Sequence, residues 1–256
     1  MEKGIAFPTC VSANNLVGHV SPLVSEDLTI NQGDLVKIDL GVHIDGFVGQ
    51  VAHTVVVGQK EVDGKKAEVV LAAHNAIQAG LRLLKPGKYN HEVTEVIQKC
   101  CDAYNVNAVE GVLSHNVAKF FLDGNNTIIN KPTYDQNVQD YEFQVNDVFV
   151  LDVYVSSGEG KPKESDMRCT VYKRDINRSY VLKTKAARTF FNDVITKYPV
   201  LGFSQRSFED EISAKIGVKE CLEHELLTPY PVMEEKKDEV VAHFKYTVLM
   251  TNASTL

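Results

Sequence analysis

Asp34-Leu35-Val36-Lys37-Ile38-Asp39-Leu40-Gly41, the turn His43-Ile44-Asp45-Gly46 and the stretch Phe47 to Val57 read together as a β-hairpin. β-Branched residues populate both arms, and Asp-Gly is a tight-turn pair. Pairing residue 43 with 46 places Asp39 opposite Gln50 on one side of the ribbon. Two carboxylates in those positions could clamp a pair of divalent cations. Asp with Gln is a poorer clamp, because a neutral amide brings no bridging charge.

Outward from the hairpin, 256 residues suffice for one large α/β domain, or one domain with an insert. Cys10, Cys100, Cys101, Cys169 and Cys221 are odd in number and show neither disulfide spacing nor a Cys-x-x-Cys knuckle, which points to a reducing compartment. Met1 to Pro8 lacks the apolar core of a secretory signal, and no run of 18 apolar residues occurs. A soluble, intracellular protein without membrane insertion is expected. Asn252-Ala253-Ser254 fits a glycosylation sequon, which reads as incidental in such a chain.

The net charge of -7 argues against a nucleic-acid binder as a whole, but the charge is unevenly spread. Between residues 161 and 188 lie Lys161, Lys163, Arg168, Lys173, Arg174, Arg178, Lys183, Lys185 and Arg188 against three acids, so this stretch is +6 and the rest is -13. It reads either as a solvated loop and helix face or as a phosphate-binding patch.

Periodicity predicts a helix from about Lys65 to Leu84 with Val69, Ala73, Ile77 and Leu81 on one face, and a second helix capped by Asn90 and running through Cys101. Val148 to Val155 reads as a buried strand with the single charge Asp152, and Val240 to Met250 as a final strand with the single charge Lys245 at its centre. A lone buried charge needs a partner, so Asp152 and Lys245 are expected to meet. Between these strands the pattern gives three short helices, Lys183 to Tyr198, Ser207 to Ile216 and Val218 to Leu227, as in a winged-helix-like insert.

The run Gly4-Ile5-Ala6-Phe7-Pro8-Thr9, then Asn14-Asn15, His19, Lys37 to Gly41, His115, Asp152 to Gly160 and Lys245, resembles type 2 methionine aminopeptidases over nearly the whole chain. Within that superfamily, Val36 to His43, Val155 to Lys161 and Tyr172-Lys173-Arg174-Asp175 look most like the proliferation-associated, ErbB receptor-binding proteins, which are not peptidases. The resemblance implies a pita-bread (creatinase/aminopeptidase) α/β fold. Residues 1–164 and 236–256 would form the aminopeptidase-like domain and 165–235 the insert.

Carried over from the enzymes, the five metal-ligand positions fall on Asp39, Gln50, His115, Asp152 and Lys245, and a substrate-contacting histidine falls on His19. Gln50 lacks the bridging charge, Asp152 is one methylene shorter than the enzymes' Glu, and a protonated Lys245 cannot ligate a metal. Asp39, Asp152 and Lys245 sum to -1 where four negative charges would offset two divalent ions. The expectation is a vestigial site with no metal, no cofactor and no catalytic residue, Lys245 standing roughly in a metal's place. His19 and His115 then read as remnants hydrogen-bonded within the pocket, and His43, His53, His74, His91, His224 and His243, which show no ligand spacing, as surface or packing residues.

The resemblance further implies binding to ribosomes and ribosomal RNA, roles in ribosome biogenesis, translation control and growth, signalling or transcription proteins as further partners, and a cytoplasmic location with a nuclear or nucleolar pool. The nine basic residues of the 161–188 stretch are the RNA-contact candidates. Two other readings are an active metal-dependent methionine aminopeptidase and a protein-interaction module that uses the old cleft. The family's helices ahead of Gly4, its Lys-rich tail and its C-terminal leucine motif have no counterpart here. Exposed apolar sheet surface is therefore expected, and neither tail-mediated RNA binding nor receptor corepression is carried over.

Overall fold

The computed structural model describes residues 1–136 and 138–252; the end of the Asn252-Ala253-Ser254 sequon lies outside them. The chain runs β1 (Lys3–Ala13), β2 (Leu16–Gly18), β3 (Leu35–Ile44), β4 (Phe47–Val56), α1 (Gly64–Leu83), α2 (Asn90–Ala103), β5 (Asn107–Ala108), β6 (Leu113–Asn116), β7 (Thr127–Ile129) and β8 (Val148–Ser156). It continues with β9 (Lys163–Glu164), β10 (Val171–Arg174), α3 (Lys185–Lys197), β11 (Gly202–Ser204), α4 (Glu211–Glu223), β12 (Leu227–Tyr230), β13 (Met233–Glu234) and β14 (Val241–Leu249).

An eight-stranded sheet in the order β1-β3-β4-β14-β8-β6-β7, with β5 on β8, carries the site. β14 is its centre. It pairs antiparallel with β8 along nine residues and with β4 at Lys245 and Tyr246. On one face, Phe149, Leu151, Val153 and Val155 of β8 pack against Val69, Ala73 and Ile77 of α1, and all seven side chains are buried. Each larger one contributes about 1.5–3 kcal/mol by leaving water. Strand alternation sends Asp152, Tyr154, His243 and Lys245 to the opposite face, where the candidate site lies.

The β3–β4 hairpin turns at Asp45-Gly46, not at Ile44-Asp45. Both turn residues have positive φ, 48° and 83°, which Asp and Gly tolerate and β-branched Ile44 does not. Ile44 therefore pairs with Phe47, Asp39 with Ala52 and Gly41 with Gln50. The expected register is off by two residues. An even shift keeps parity, so Asp39 and Gln50 remain on one face as diagonal neighbours.

On the α1 side the helices do not extend over the first strands. Ile5, Ile38, Val42, Ile44, Phe47, Val51 and Val55 stand 38–67% exposed there, while Tyr246, directly opposite Val51, packs on the α1 core. This is a continuous apolar face on β1, β3 and β4.

A second core gathers Phe190 and Val194 of α3, Val218 and Cys221 of α4, and Tyr172 and Phe203 of a three-stranded sheet ordered β11-β10-β12. The segment holds two α-helices where three were expected. Ser207 ends a short 3-10 turn, Asp210 caps α4 by accepting from the Ser213 N–H at 2.9 Å, and α4 runs straight through Gly217. Gly217 is there for close approach: a Cβ would lie 2.5 Å from Cβ of Phe190. Asn90 is also not a cap. It is the first residue of α2, buried, with its side-chain amide donating to the carbonyls of Thr127 and Gln139.

Candidate functional site

Lys245 sits mid-strand, directly opposite Asp152 on β8 and Ala52 on β4. Its Nζ lies 2.8 Å from Oδ2 of Asp39 and 3.2 Å from Oδ2 of Asp152, with all three side chains at most 16% exposed. Asp39 arrives from β3, across β4, so the ammonium joins both halves of the sheet. Burial alone would raise the Asp152 carboxyl, but Lys245 and His243 beside it overcome that and hold it at about 2. Burial opposes the charged form of Lys245 as well, yet the two carboxylates hold its pKa above the ordinary lysine value. Asp152 and Lys245 thus hold each other in the charged form.

His243, which carries no ligand spacing in the sequence, belongs to this cluster. Its Nε2 donates to Oδ1 of Asp152 at 2.6 Å, and its ring lies flat on Tyr154, with centroids 3.7 Å apart and planes 11° from parallel. The available signal was alternation: 243 and 245 share a face of β14, as 152 and 154 share one of β8. Ser114 braces the strand from the other side, its Oγ accepting from the Asp152 N–H at 2.8 Å.

A cavity of about 420 Å3 opens above the cluster, with Phe7, Val17, Val109, Leu122, Val150 and Tyr230 as apolar wall and His19, Gln50, His115, Asp152 and Lys245 as polar members. His19 has φ 66° and donates from Nδ1 to the Pro231 carbonyl at 2.9 Å, with its ring against Phe7 and Tyr230. Burial pulls its pKa below the ordinary histidine value. His115 donates from Nδ1 to the Gly124 carbonyl at 3.0 Å. Gln50 is fixed through its backbone, whose N–H donates to Thr247 Oγ1 at 2.7 Å. The fold therefore brings five of the six sequence-derived residues, His19, Gln50, His115, Asp152 and Lys245, to one hollow, and the sixth, Asp39, to the Lys245 ammonium at its floor.

This donor set does not fit a pair of divalent cations. Metal–oxygen bonds of about 2.0–2.2 Å would need the space between Asp39 and Asp152 that the Lys245 ammonium fills at 2.8 and 3.2 Å. One residual negative charge remains among these three groups to set against a charge of +4.

The nine basic residues of the 161–188 stretch are dispersed rather than gathered. Lys173 pairs with Asp123, Arg178 with Glu225 at 2.8 Å, and Lys161 stands 4.0 Å from Glu110. Arg174 donates to the Pro199 carbonyl and lies over the Phe191 ring, and Arg188 donates to the carbonyls of Leu182 and Lys183. Lys163, Arg168, Lys183 and Lys185 have no carboxylate in ion-pair range among the described residues. Lys161 and Lys163 line one hollow, Lys185 another.

The profile of metallopeptidase family M24 matches residues 2–171. The chain belongs to family M24. Within that family it is 46% identical over 251 residues to ERBB-3 binding protein 1 of Solanum tuberosum, covering 98% of this chain and 65% of the relative. It is likewise 46% identical to proliferation-associated protein A of Dictyostelium discoideum, covering 98% and 66%. The methionine aminopeptidase of Methanothermobacter thermautotrophicus is 29% identical, with 96% and 80% covered. Sequence thus sets this M24 chain nearer the ErbB-3-binding and proliferation-associated members than the aminopeptidases. It spans about two thirds of the length of those nearer relatives. Among solved structures, a thermophilic Arx1 superposes with a TM-score of 0.90 at 28% identity, covering 98% of this chain and 74% of that one. The pita-bread M24 fold follows.

Proposed function

We propose that this M24 protein is a non-catalytic aminopeptidase homologue that binds ribosomes through ribosomal RNA and acts in ribosome biogenesis, translation and growth. One observation carries the loss of catalysis: the Lys245 ammonium lies between Asp39 and Asp152. Without a metal to polarise a carbonyl and acidify a bound water, amide hydrolysis loses its principal acceleration. The remaining groups are committed elsewhere, His19 and His115 to backbone carbonyls and Asp152 to Lys245 and His243.

The ribosome reading rests on the resemblance to the proliferation-associated group together with unpaired basic side chains in an acidic chain. Lys163, Arg168, Lys183 and Lys185 are the candidate contacts best placed to meet phosphate, having no carboxylate in ion-pair range among the described residues. Residues 165–235 are read as an insert on an aminopeptidase-like domain formed by 1–164 and 236–256; the separate core of Phe190, Phe203 and Val218 supports that division. A cytoplasmic location with a nucleolar pool accords with this role. The potato relative's name adds a growth-factor receptor as a candidate partner.

Two assays test the proposal together. Purified protein incubated with a Met-initiated peptide and cobalt or manganese should release no methionine, and it should co-sediment with ribosomes in a salt-sensitive manner. Methionine release refutes the first half, and protein that stays in the supernatant refutes the second. RNase-insensitive capture of a protein partner instead would favour an interaction module built on the apolar-walled cavity.

A further inference from the structure

The fold joins two lysines at the start of the basic stretch to two that lie outside it. β9 and β13 pair antiparallel with Lys163 opposite Glu234, and the chain leaves β13 directly into Glu235-Lys236-Lys237. Lys161, Lys163, Lys236 and Lys237 therefore converge on one hollow of about 690 Å3 from segments more than seventy residues apart, and all four are exposed.

Three carboxylates share the hollow, and each is engaged. Glu235 is buried and accepts from Ser156 Oγ at 3.0 Å, from the Gly160 N–H at 2.9 Å and from the Lys236 N–H at 3.2 Å. Glu234 accepts from Ser165 Oγ at 2.9 Å, and Glu159 pairs with Lys236. Lys163 and Lys237 have no carboxylate in ion-pair range among the described residues, and Lys161 has Glu110 at the 4.0 Å limit. Through Glu235 the 156–160 turn and the 235–237 segment are clipped together, so the lysines project from a braced rim. The described lining contains no aromatic side chain on which a base could stack. Such a surface recognises phosphates, not base identity.

We infer that this hollow holds the phosphodiester backbone of RNA through Lys161, Lys163 and Lys237, an inference that rests on the ribosome-binding reading and names its contact. The interaction is sequence-independent and steeply salt-dependent.

Fluorescence polarisation of the full chain with labelled oligouridylate and with an RNA duplex tests it, comparing wild type with the combined Lys161→Ala, Lys163→Ala, Lys237→Ala variant. Binding should weaken about tenfold or more, and the slope of log K against log salt should fall by roughly 0.7 to 0.9 for each phosphate the variant no longer neutralises. Arginine at the same three positions should restore both. A control carrying Lys88→Ala and Lys99→Ala, which removes internally paired charges outside both sets of candidate contacts, should bind as wild type does. If the alanine variant keeps wild-type affinity and slope, the hollow is not where RNA binds, although the RNA reading stands. If wild-type protein binds neither RNA nor ribosomes, both fall.

Discussion

Lys245 and Asp152 face each other across β14 and β8, and their charged atoms meet 3.2 Å apart at the cavity floor. Because Asp39 approaches the same ammonium from two strands away at 2.8 Å, a single side chain holds together two acids that would otherwise repel.

Replacing Lys245 with Met should therefore cost about 3–5 kcal/mol in urea unfolding, since it strands two buried carboxylates. Adding Asp39→Asn and Asp152→Asn to that variant should recover a large part of the loss.

The same ion pair sets an acid limb. Asp152 is held at about 2 in the folded chain against 3.8 ordinarily. Its stabilisation is complete above pH 3.8 and is lost as pH falls toward 2. Thermal unfolding followed across that window should show this decline in wild type and a smaller one in Lys245→Met.

Lys37 gives the opposite case at the alkaline side, a buried group whose charge the fold disfavours. It is fully buried, donates to the Asn14 carbonyl at 2.7 Å, and burial drives its pKa from 10.5 down to about 7. Between those values the unfolded chain holds the Lys37 proton and the folded chain does not, so stability rises with pH across the window. Lys37→Met should stabilise the protein by roughly 1–3 kcal/mol near neutral pH and by progressively less toward pH 10.5. Equal stabilisation at both ends would contradict this assignment.

Gly217→Ala should cost about 1–3 kcal/mol, because the added methyl enters the α3–α4 contact against Phe190. Hydrogen exchange should show the loosening in α3 and α4 while α1 and β8 stay protected.

The encounter of Asp152 with Lys245 was legible because each is the lone charge in an otherwise apolar strand, where an unpaired ion is too costly to keep. Asp39 and Gln50 were placed on the correct face but in the wrong register, since facing depends on parity alone whereas register depends on which residues accept positive φ. His243 escaped because ligand spacing was sought where strand alternation was informative. The fusion of two expected helices into α4 was hidden by Gly217, which reads locally as a helix stop and serves instead as a contact point for Phe190. Lys236 and Lys237 carry no local signal toward Lys161 and Lys163; the β9–β13 pairing and the Glu235 clip unite them.

The most direct test of the central claim is calorimetric titration of cobalt or manganese into the wild-type protein and into a variant carrying Gln50→Asp and Lys245→Glu. The expected result is no specific heat of binding for wild type and measurable binding for the variant, whose cavity regains acidic ligands and loses the ammonium. Saturable binding of two ions by the wild-type protein, or a variant that still binds none, would contradict the account.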